Sequence, residues 1–432
     1  MARLLALLLE QPGGENLRIK LAAPTGKAAA RLQESLSRSL VNLPCSETIK
    51  ARLQAKDLTT TIHRLLGTIP QSAKFRHDAG NPLPVDVLVV DEASMVSLAL
   101  MAKLLAALKP DARLVLVGDQ DQLPPVEAGN VLGDLCRAAE INGFSEHFRN
   151  DYRRCGDGTI AEENFSSAAG LTDAVIQLHT NYRSGEMVAL NEISIAVNAG
   201  DADRAMDLLR QTTAALAWQP LPSAKMLPTV LRDAVVSHYG DVLRSASPAA
   251  ALAALGKFRI LCAVREGPFG TAAINRLAEE ILANAGCIAP EKMKSGSYAG
   301  KPLMVTANNY TLKLFNGDTG VVWPRDDFSA LVHFPDETGG LRAVARERLP
   351  EHETAFALTI HKSQGSEFDH VLLVLPDQAS PVLTRQLFYT GLTRARQSVR
   401  ILAPEAILRA TIATQLQRGS GLADALRSNA TT

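Results

Sequence analysis

The chain has 432 residues, which is enough for two or three domains that each bury a core. Its 45 Lys and Arg residues balance 45 Asp and Glu residues, so any nucleic-acid binding must come from a local groove and not from overall charge. The five cysteines form no CxxC pair, which argues against a zinc site or disulfide framework and favours a reducing cytoplasm. No apolar run approaches the ~20 residues of a membrane span.

The opening MARLLALLLEQ predicts an amphipathic helix that begins without a cap; the alternative, a signal peptide, lacks a small-residue cleavage site. A strand over 17–22 leads into a turn and helix that begin with Pro24, Thr25, Gly26 and Lys27. This turn is not a Walker A loop, because GxxxxGK followed by Ser or Thr is absent. It is either an ordinary strand-to-helix turn or a phosphate site, for a nucleotide or a nucleic-acid backbone.

Residues 40–74 are polar and predicted to be helical. They contain TTTIHRLLG, in which Thr60, Thr61, His63 and Arg64 form a donor cluster suited to phosphates. A lone histidine in such a segment is more often structural.

The apolar run Val87–Val90 in VDVLVVDEAS predicts a strand buried on both faces of a parallel sheet. Asp91 and Glu92 follow at its carboxyl end, where open α/β sheets bind ligands. In a nucleotide-hydrolysing motor the first acid would hold Mg²⁺ and the second would orient and deprotonate the attacking water. The alternative is an acidic loop in which Glu92 or Ser94 caps the next helix.

A helix over 98–108 and a strand over 113–117 come next, and GDQDQLPPV places Asp119 and Gln122 at the carboxyl end of a neighbouring strand. A glutamine there can bond a terminal phosphate. The alternation of strands and helices through about residue 140 predicts a doubly wound sheet.

Residues 145–175 are predicted to be a loop-rich connector, followed by LHTNYRS and a mostly helical stretch to about residue 255. Arg183 in that motif is either an ordinary solvated arginine or a clamp for a phosphate. A strand over 258–263 and a helix over 271–283 begin a second α/β system. Short strands over 295–350 predict a small β insertion, with core roles favoured over base stacking for its aromatic residues, Tyr298, Tyr310, Phe315 and Trp323.

The chain returns to α/β with TIHKSQGSEFDHVLLVLP, whose donors suit a phosphodiester backbone or a nucleotide. A strand is predicted over 371–375. Arg394 and Arg396 are predicted to lie on a helix before a last strand over 399–402, and an arginine of a second sheet that acts on the acids of a first domain is an arginine-finger arrangement.

Seven motifs in order resemble those of superfamily 1 helicases: PTGKAAARL, TIHRLLG, VVDEAS, GDQDQLPPV, NYRS, TIHKSQGSEFD and YTGLTRAR. The residues within these motifs are similar to those of the RecD family, the alpha subunits of RecBCD (exodeoxyribonuclease V), and the resemblance extends over essentially the whole chain. The resemblance implies two RecA-like P-loop NTPase-type domains with parallel sheets and an SH3-like β-barrel insertion in the second. It also implies ATP and Mg²⁺ as cofactors, 5′→3′ movement on single-stranded DNA in double-strand break repair, and RecB and RecC as partners.

The resemblance implies roles for individual residues. Asp91 matches the Mg²⁺ ligand, Glu92 the catalytic base and Gln122 the phosphate sensor. Arg183 and Arg394 match the arginines of the nucleotide site, to which Asp119, Gln364, Gly365 and Glu367 also belong. The DNA-contacting positions are Pro24, Thr25, Gly26, Lys27, Thr61, His63, Thr359, His361 and Ser363.

The expected domains are 1–145 for the first motor domain, 146–180 for a connector, 181–295 with 351–432 for the second motor domain, and 296–350 for the insertion. The family has a Walker A loop before the first helix, and the sequence here begins within that helix. We therefore expect an N-terminally truncated chain with impaired ATP hydrolysis. One alternative is a non-catalytic DNA-binding or assembly subunit of a RecBCD-type complex, and an in-frame GxGKT upstream of Met1 would argue against it. The other alternative is a nuclease, which would have to cleave DNA in a metal-dependent reaction without partners.

The 432-residue chain should bind a labelled single-stranded oligonucleotide without DNA-stimulated ATP hydrolysis, because the missing loop supplies the charges that hold the phosphates. Both quantities can be measured on the purified chain. Stimulated hydrolysis would show that other residues hold the phosphates.

Overall fold

The computed structural model describes residues 1–55, 57–69, 72–139, 141–155, 171–178, 188–309, 311–325, 330–336, 339–416 and 420–429. The chain divides into two compact units, Met1–Tyr182 with Gln417–Thr432, and Arg183–Leu416. Among the described helices, none has the length and apolar character that crossing a membrane requires.

The first unit is built on a four-stranded parallel sheet in the order β2-β1-β3-β4. Its strands are β1 (Ile19–Ala23), β2 (Thr59–Thr61), β3 (Val87–Val90) and β4 (Arg113–Leu116). The helices are α1 (Ala2–Glu10), α2 (Gly26–Val41), α3 (Glu47–Leu53), α4 (Ile62–Leu66), α5 (Leu98–Ala106), α6 (Val131–Ala138) and α7 (Glu146–Cys155).

Strand β3 is the centre of this unit. All four of its side chains are fully buried. Val87 and Val89 pack with α1 and α2 on one face, and Leu88 and Val90 pack with α4, α5 and α6 on the other. Cover on both faces explains why the sequence of this strand is continuously apolar and does not alternate. The predicted strand and its parallel surroundings are confirmed.

The second unit contains two sheets. A parallel sheet has the order β12-β6-β13-β14-β5, and an antiparallel sheet has the order β10-β9-β8-β7-β11. In chain order the strands are β5 (Leu216–Gln219), β6 (Phe258–Cys262), β7 (Pro302–Val305), β8 (Thr319–Pro324), β9 (Ala330–Pro335), β10 (Leu341–Ala345), β11 (His352–Thr354), β12 (Ala357–Thr359), β13 (Phe368–Val374) and β14 (Ala395–Leu402).

The helices of the second unit cover the parallel sheet and lead into the antiparallel one. They are α8 (Val188–Ala199), α9 (Ala202–Arg210), α10 (Leu227–Ala234), α11 (Gly240–Leu243), α12 (Pro248–Leu255), α13 (Thr271–Asn284), α14 (Pro290–Ser295), α15 (Arg385–Leu392) and α16 (Glu405–Ala413). A π-helical segment, Val235–Tyr239, joins α10 to α11. The antiparallel sheet has its own apolar core around Val305, Val322 and Phe334.

The last helix, α17 (Leu422–Asn429), belongs to the first unit, although residues 417–432 were expected in the second domain. Leu422 packs on the α5–α6 side of the first sheet, and Ser420 donates a hydrogen bond to the buried Asp134 of α6. The Arg427 guanidinium donates to the Arg137 carbonyl over 2.5 Å. These contacts hold the C-terminal helix against α6. The other expected domain boundaries stay predictions.

The parallel-sheet α/β class is confirmed, and several local predictions are wrong. Residues 40–74 are not helical throughout, since Thr59–Thr61 is an edge strand paired with β1, as suits a run of β-branched residues. The helical stretch to residue 255 contains the unpredicted strand β5, which pairs with β14. Tyr298 is buried, at 3% exposure, but it packs with the helices and strands of the parallel sheet and not in the core of the insertion, and Tyr310 lies outside the described residues.

Replacing Leu88 with Ala should lower the free energy of unfolding by about 2–5 kcal/mol, because a fully buried side chain leaves a cavity. The matched control is Leu105→Ala in α5, whose side chain is 51% exposed. Urea unfolding monitored by circular dichroism measures both. Equal, small effects would contradict the central position of β3.

Candidate functional site

The carboxyl ends of all four strands of the first sheet meet at one edge. The register pairs Ala22 with Val90 and Val90 with Leu116, and Ala23 pairs with Thr61. The segments at the carboxyl ends of these strands therefore lie along the same edge: 24–27 after β1, 61–63 beginning with the last residue of β2, 91–92 after β3 and 118–122 after β4. The sheet thus brings together the predicted acids, the phosphate-sensing glutamine and the first set of predicted DNA contacts.

Glu92 has an unusual backbone conformation, with φ 52° and ψ 40° in the left-handed region. This conformation costs a residue with a β-carbon roughly 1–2 kcal/mol. The Ala93 N–H bonds the Val117 carbonyl over 2.9 Å, which holds the sharp turn against the end of β4. Strain of this kind, held in place by the surrounding sheet, is frequent at functional sites.

The helix-capping alternative for this segment is wrong. The Glu92 side chain makes no capping hydrogen bond, and α5 is capped by Ser97, whose hydroxyl accepts from the Leu100 N–H over 3.4 Å. Ser94 is 2% exposed, and its hydroxyl has no hydrogen-bond partner among the described residues.

Burial raises the pKa of Asp91, and a backbone N–H of Glu92, the Arg31 guanidinium and the amino group at residue 1 partly oppose the rise. A cation at Asp91 would offset the cost of desolvating its charge. Mg²⁺ typically takes only one or two protein carboxylates and completes its shell with water and phosphate oxygens, so Asp91 fits such an ion. Within the described ranges no group of three or more His, Cys, Asp and Glu side chains could hold a metal.

The loop after β4 is organised by Asp119. Its carboxylate accepts from the Asp121 N–H over 3.0 Å and from the Gln122 side-chain amide over 3.2 Å. Asp119 therefore orients the amide of Gln122, the predicted phosphate sensor. Burial, and then the nearby charge of Asp119, raise the pKa of Asp121 to about 6. Asp121 is not among the residues that the motifs predict, although its place two residues after Asp119 was an available signal.

The threonines of the predicted DNA contacts cap helices. Thr25 accepts from the Ala28 N–H over 3.2 Å, and Thr61 accepts from the Arg64 N–H over 3.3 Å. Pro24, Gly26 and Lys27 are partly exposed beside Thr25.

His63 lies edge-to-face with Phe75, with ring centroids 5.8 Å apart. Partial desolvation of the ring and the charge of Lys103 lower the pKa of His63, against the opposing charge of Glu127, which favours the neutral form of the ring.

In the second unit, Thr359 ends β12 at the carboxyl edge of the parallel sheet, level with Cys262 and Val374. A single 3-10 turn, His361–Ser363, follows. The Thr359 hydroxyl accepts from the Lys362 N–H over 3.3 Å. Ser363 is fully buried and its hydroxyl donates to the Ile360 carbonyl over 2.7 Å, so its side chain supports the turn from inside.

The predicted nucleotide-binding residues of this unit lie towards the opposite edge. Gln364 and Gly365 belong to the segment that returns from the turn to the amino end of β13, and Gly365 has a left-handed φ of 71°. Glu367 precedes β13 and Arg394 precedes β14, where Phe368 pairs with Ala395. The sheet therefore separates the predicted DNA contacts from the predicted nucleotide contacts.

Arg394 is 3% exposed, and its guanidinium donates to the carbonyls of Thr390 (3.0 Å) and Ser366 (3.2 Å). The prediction that Arg394 and Arg396 lie on a helix is wrong, because α15 ends at Leu392 and the Phe368 N–H bonds the Arg394 carbonyl over 2.8 Å, which draws the chain into β14. Arg396 pairs with Glu367 over 3.1 Å. Arg183 lies outside the described residues.

Two family models match the chain in separate regions. The AAA domain matches residues 2–128, which contain the edge with Asp91 and Glu92, and the UvrD-like helicase C-terminal domain matches residues 354–402, which contain Thr359–Arg396. Together with the two parallel sheets, these matches define a protein of the helicase class.

Curated relatives narrow this class to one family. The RecBCD enzyme subunit RecD of Mycolicibacterium smegmatis is 42% identical over 99% of this chain and 70% of its own length. The RecD subunit of Haemophilus influenzae is 34% identical over 97% of this chain and 67% of its own length, and the ATP-dependent RecD2 DNA helicase of Deinococcus radiodurans is 32% identical over 88% and 42%. The chain belongs to the RecD family.

Replacing Asp121 with Asn should stabilise the protein at pH 7–8 by on the order of 1 kcal/mol, after discounting for partial exposure. The pKa of Asp121 is about 6 in the folded chain and has its ordinary value of 3.8 in the unfolded chain, so the folded chain binds this proton more tightly. The contribution of the bound proton to the free energy of unfolding is therefore complete below pH 3.8 and is lost as the pH rises to about 6. The gain from the substitution should therefore vanish towards pH 4. Urea midpoints measured from pH 4 to 8 test this, with the exposed Asp111→Asn as control. A gain that does not vary with pH would contradict the assignment.

Proposed function

We propose that this chain is the motor portion of an ATP-dependent DNA helicase subunit that acts on single-stranded DNA in double-strand break repair and recombination. The observation that carries the proposal is the placement of Asp91, Glu92 and Gln122 on one edge of a parallel sheet in a RecD-family chain. The relatives are named as RecBCD subunits, so RecB and RecC are the expected partners. The 5′→3′ polarity comes from the resemblance alone.

The first unit would supply the hydrolytic groups. Asp91 would hold Mg²⁺, whose charge, when the ion is bound, neutralises the phosphates of ATP. The Glu92 carboxylate would orient the attacking water and take its proton, and the strained turn keeps that carboxylate directly after the metal ligand. Gln122, oriented by Asp119, would bond the terminal phosphate.

The second unit would supply charge and further contacts to the nucleotide. Arg394 matches an arginine that stabilises charge on the transferred phosphoryl group, and Arg183 matches a second. Gln364, Gly365 and Glu367 would contact the nucleotide from the segment before β13. The ion pair between Arg396 and Glu367 supports this role, because it fixes the Glu367 carboxylate.

The DNA contacts would lie at the carboxyl edges of the two parallel sheets. In the first unit they would come from 24–27 and 61–63, and in the second from Thr359, His361 and the backbone around Ser363. Lys27 supplies a positive charge, and the partly exposed donors beside it suit a sugar–phosphate backbone without sequence specificity. An SH3-like class for the antiparallel sheet and a cytoplasmic location stay predictions.

Replacing Glu92 with Gln should lower the turnover number for ATP by about 100-fold or more, since a positioned base contributes roughly that factor. The affinity for single-stranded DNA should change little, because the substitution preserves side-chain shape. Hydrolysis and oligonucleotide binding are measured on the longest product that the gene encodes.

The matched control for this prediction is Glu34→Gln, an exposed carboxylate on α2. Wild-type turnover in the Glu92→Gln protein would overturn the role of Glu92. Loss of DNA binding together with turnover would show that Glu92 supports the fold of the edge and not the chemistry.

A further inference from the structure

The chain leaves the antiparallel sheet and enters the parallel one through three fully buried residues, Ala355, Phe356 and Ala357. We call these residues the exit segment. Strand β11 ends just before them, and β12 carries the chain on to Thr359 and the turn His361–Ser363. The carbonyl groups of all three residues accept hydrogen bonds from buried side chains of the second unit.

Tyr239 bonds the middle of the exit segment. Its hydroxyl donates to the Phe356 carbonyl and accepts from the Ile260 N–H over 3.3 Å, so it bridges the exit segment to β6. Its ring lies edge-to-face with Phe356, with centroids 4.9 Å apart. Tyr239 is the last residue of the π-helical segment, and such bulges are enriched at functional sites.

Arg259 bonds the start of the exit segment. Its guanidinium donates to the Ala355 carbonyl and, over 3.3 Å, to the Leu255 carbonyl, and it lies 5.0 Å from the centre of the Phe368 ring. The side chain is 3% exposed, and its guanidinium contacts two carbonyl groups and one aromatic ring. Burying a guanidinium costs free energy, which its contacts with carbonyl groups and an aromatic face partly offset. Filling space in the core therefore does not by itself explain why an arginine stands at position 259.

Asn275 bonds the end of the exit segment at two points. Its amide donates to the Ala357 carbonyl over 3.0 Å and accepts from the Ala357 N–H over 2.9 Å. This replaces the neighbouring strand that the outer edge of β12 lacks. One turn further along α13, Glu279 pairs with Lys301 over 2.7 Å and accepts from the Tyr298 hydroxyl over 2.5 Å, at the entry to the antiparallel sheet. One face of α13 therefore holds both the entry and the exit.

The turn His361–Ser363 also has an ion pair to the antiparallel sheet. The Lys362 ammonium pairs with Glu353 of β11 over 2.8 Å. The turn that carries the predicted DNA contacts is therefore bound to the antiparallel sheet on one side and continuous with the exit segment on the other.

We propose that Tyr239, Arg259 and Asn275 are positioning residues for DNA binding. They hold the exit segment, and through it they set the position of Thr359 and His361. None of the three touches DNA in this proposal, which rests on the proposed function of that turn. The antiparallel sheet and the turn then behave as one body, so that a displacement of the sheet is transmitted to the DNA contacts.

The test uses Tyr239→Phe, which removes one hydroxyl, and Asn275→Ala, which removes the two-point bond. Amide hydrogen exchange over 355–363 should accelerate about tenfold in each variant, the factor expected for loss of a hydrogen bond, with β14 unaffected. The Kd for a labelled poly-dT oligonucleotide should rise about five- to tenfold. The matched controls are Asn284→Ala, exposed at the end of α13, and Tyr152→Phe, exposed in α7.

Local acceleration of exchange with weaker DNA binding supports the proposal. Unchanged exchange over 355–363, or acceleration throughout the second unit, overturns it, because either result makes Tyr239 and Asn275 ordinary members of the core. Hydrogen exchange is measured without DNA, so its result does not depend on whether the chain has the proposed function. A wild-type chain that binds no oligonucleotide would refute the proposed DNA-binding function of the turn. Local acceleration of exchange in the variants would still establish that Tyr239 and Asn275 hold the exit segment in place.

Discussion

The structure of the first unit depends on one constraint, the burial of Val87–Val90 on both faces of a parallel sheet. A strand covered on both sides has no room for charge along its length. Polar groups can therefore occur only at its ends, and in a parallel sheet all the carboxyl ends meet. This places Asp91 and Glu92 beside the ends of β1 and β4, and with them Lys27 and Gln122.

Putting carboxylates at this edge has a cost that the local geometry shows. Asp91 and Asp121 both have a raised pKa because burial disfavours their charged forms, and Glu92 has a left-handed backbone. Each feature alone destabilises the folded chain. They persist because the sheet on either side restrains the turn, and each would suit the cation and phosphate groups that the proposed function places at this edge.

The second unit also contains a parallel sheet, but its predicted DNA contacts and predicted nucleotide contacts lie at opposite ends of the strands. Its carboxyl edge carries the turn after β12, while Glu367 and Arg394 lie at the amino ends of β13 and β14. The segment 361–367 runs from one edge to the other, so it connects the predicted DNA contacts to the predicted nucleotide contacts over a short length of chain. The antiparallel sheet joins this segment through 355–357, and buried side chains satisfy the backbone groups at that junction.

The sequence by itself determined the parallel-sheet class, the strand Val87–Val90, and the family, because continuous apolar runs and ordered motifs are local signals. It also indicated Asp91, Glu92 and Gln122 from their positions after strands. Only the tertiary structure decided that Thr59–Thr61 and Leu216–Gln219 are strands, since edge strands this short acquire their identity from the neighbour with which they pair. It alone placed Arg396 in a strand, showed the buried position of Asp121, and brought Tyr239, Arg259 and Asn275 to the exit segment. These contacts depend on burial and on hydrogen bonds between residues up to 117 positions apart in the chain, which no local pattern encodes.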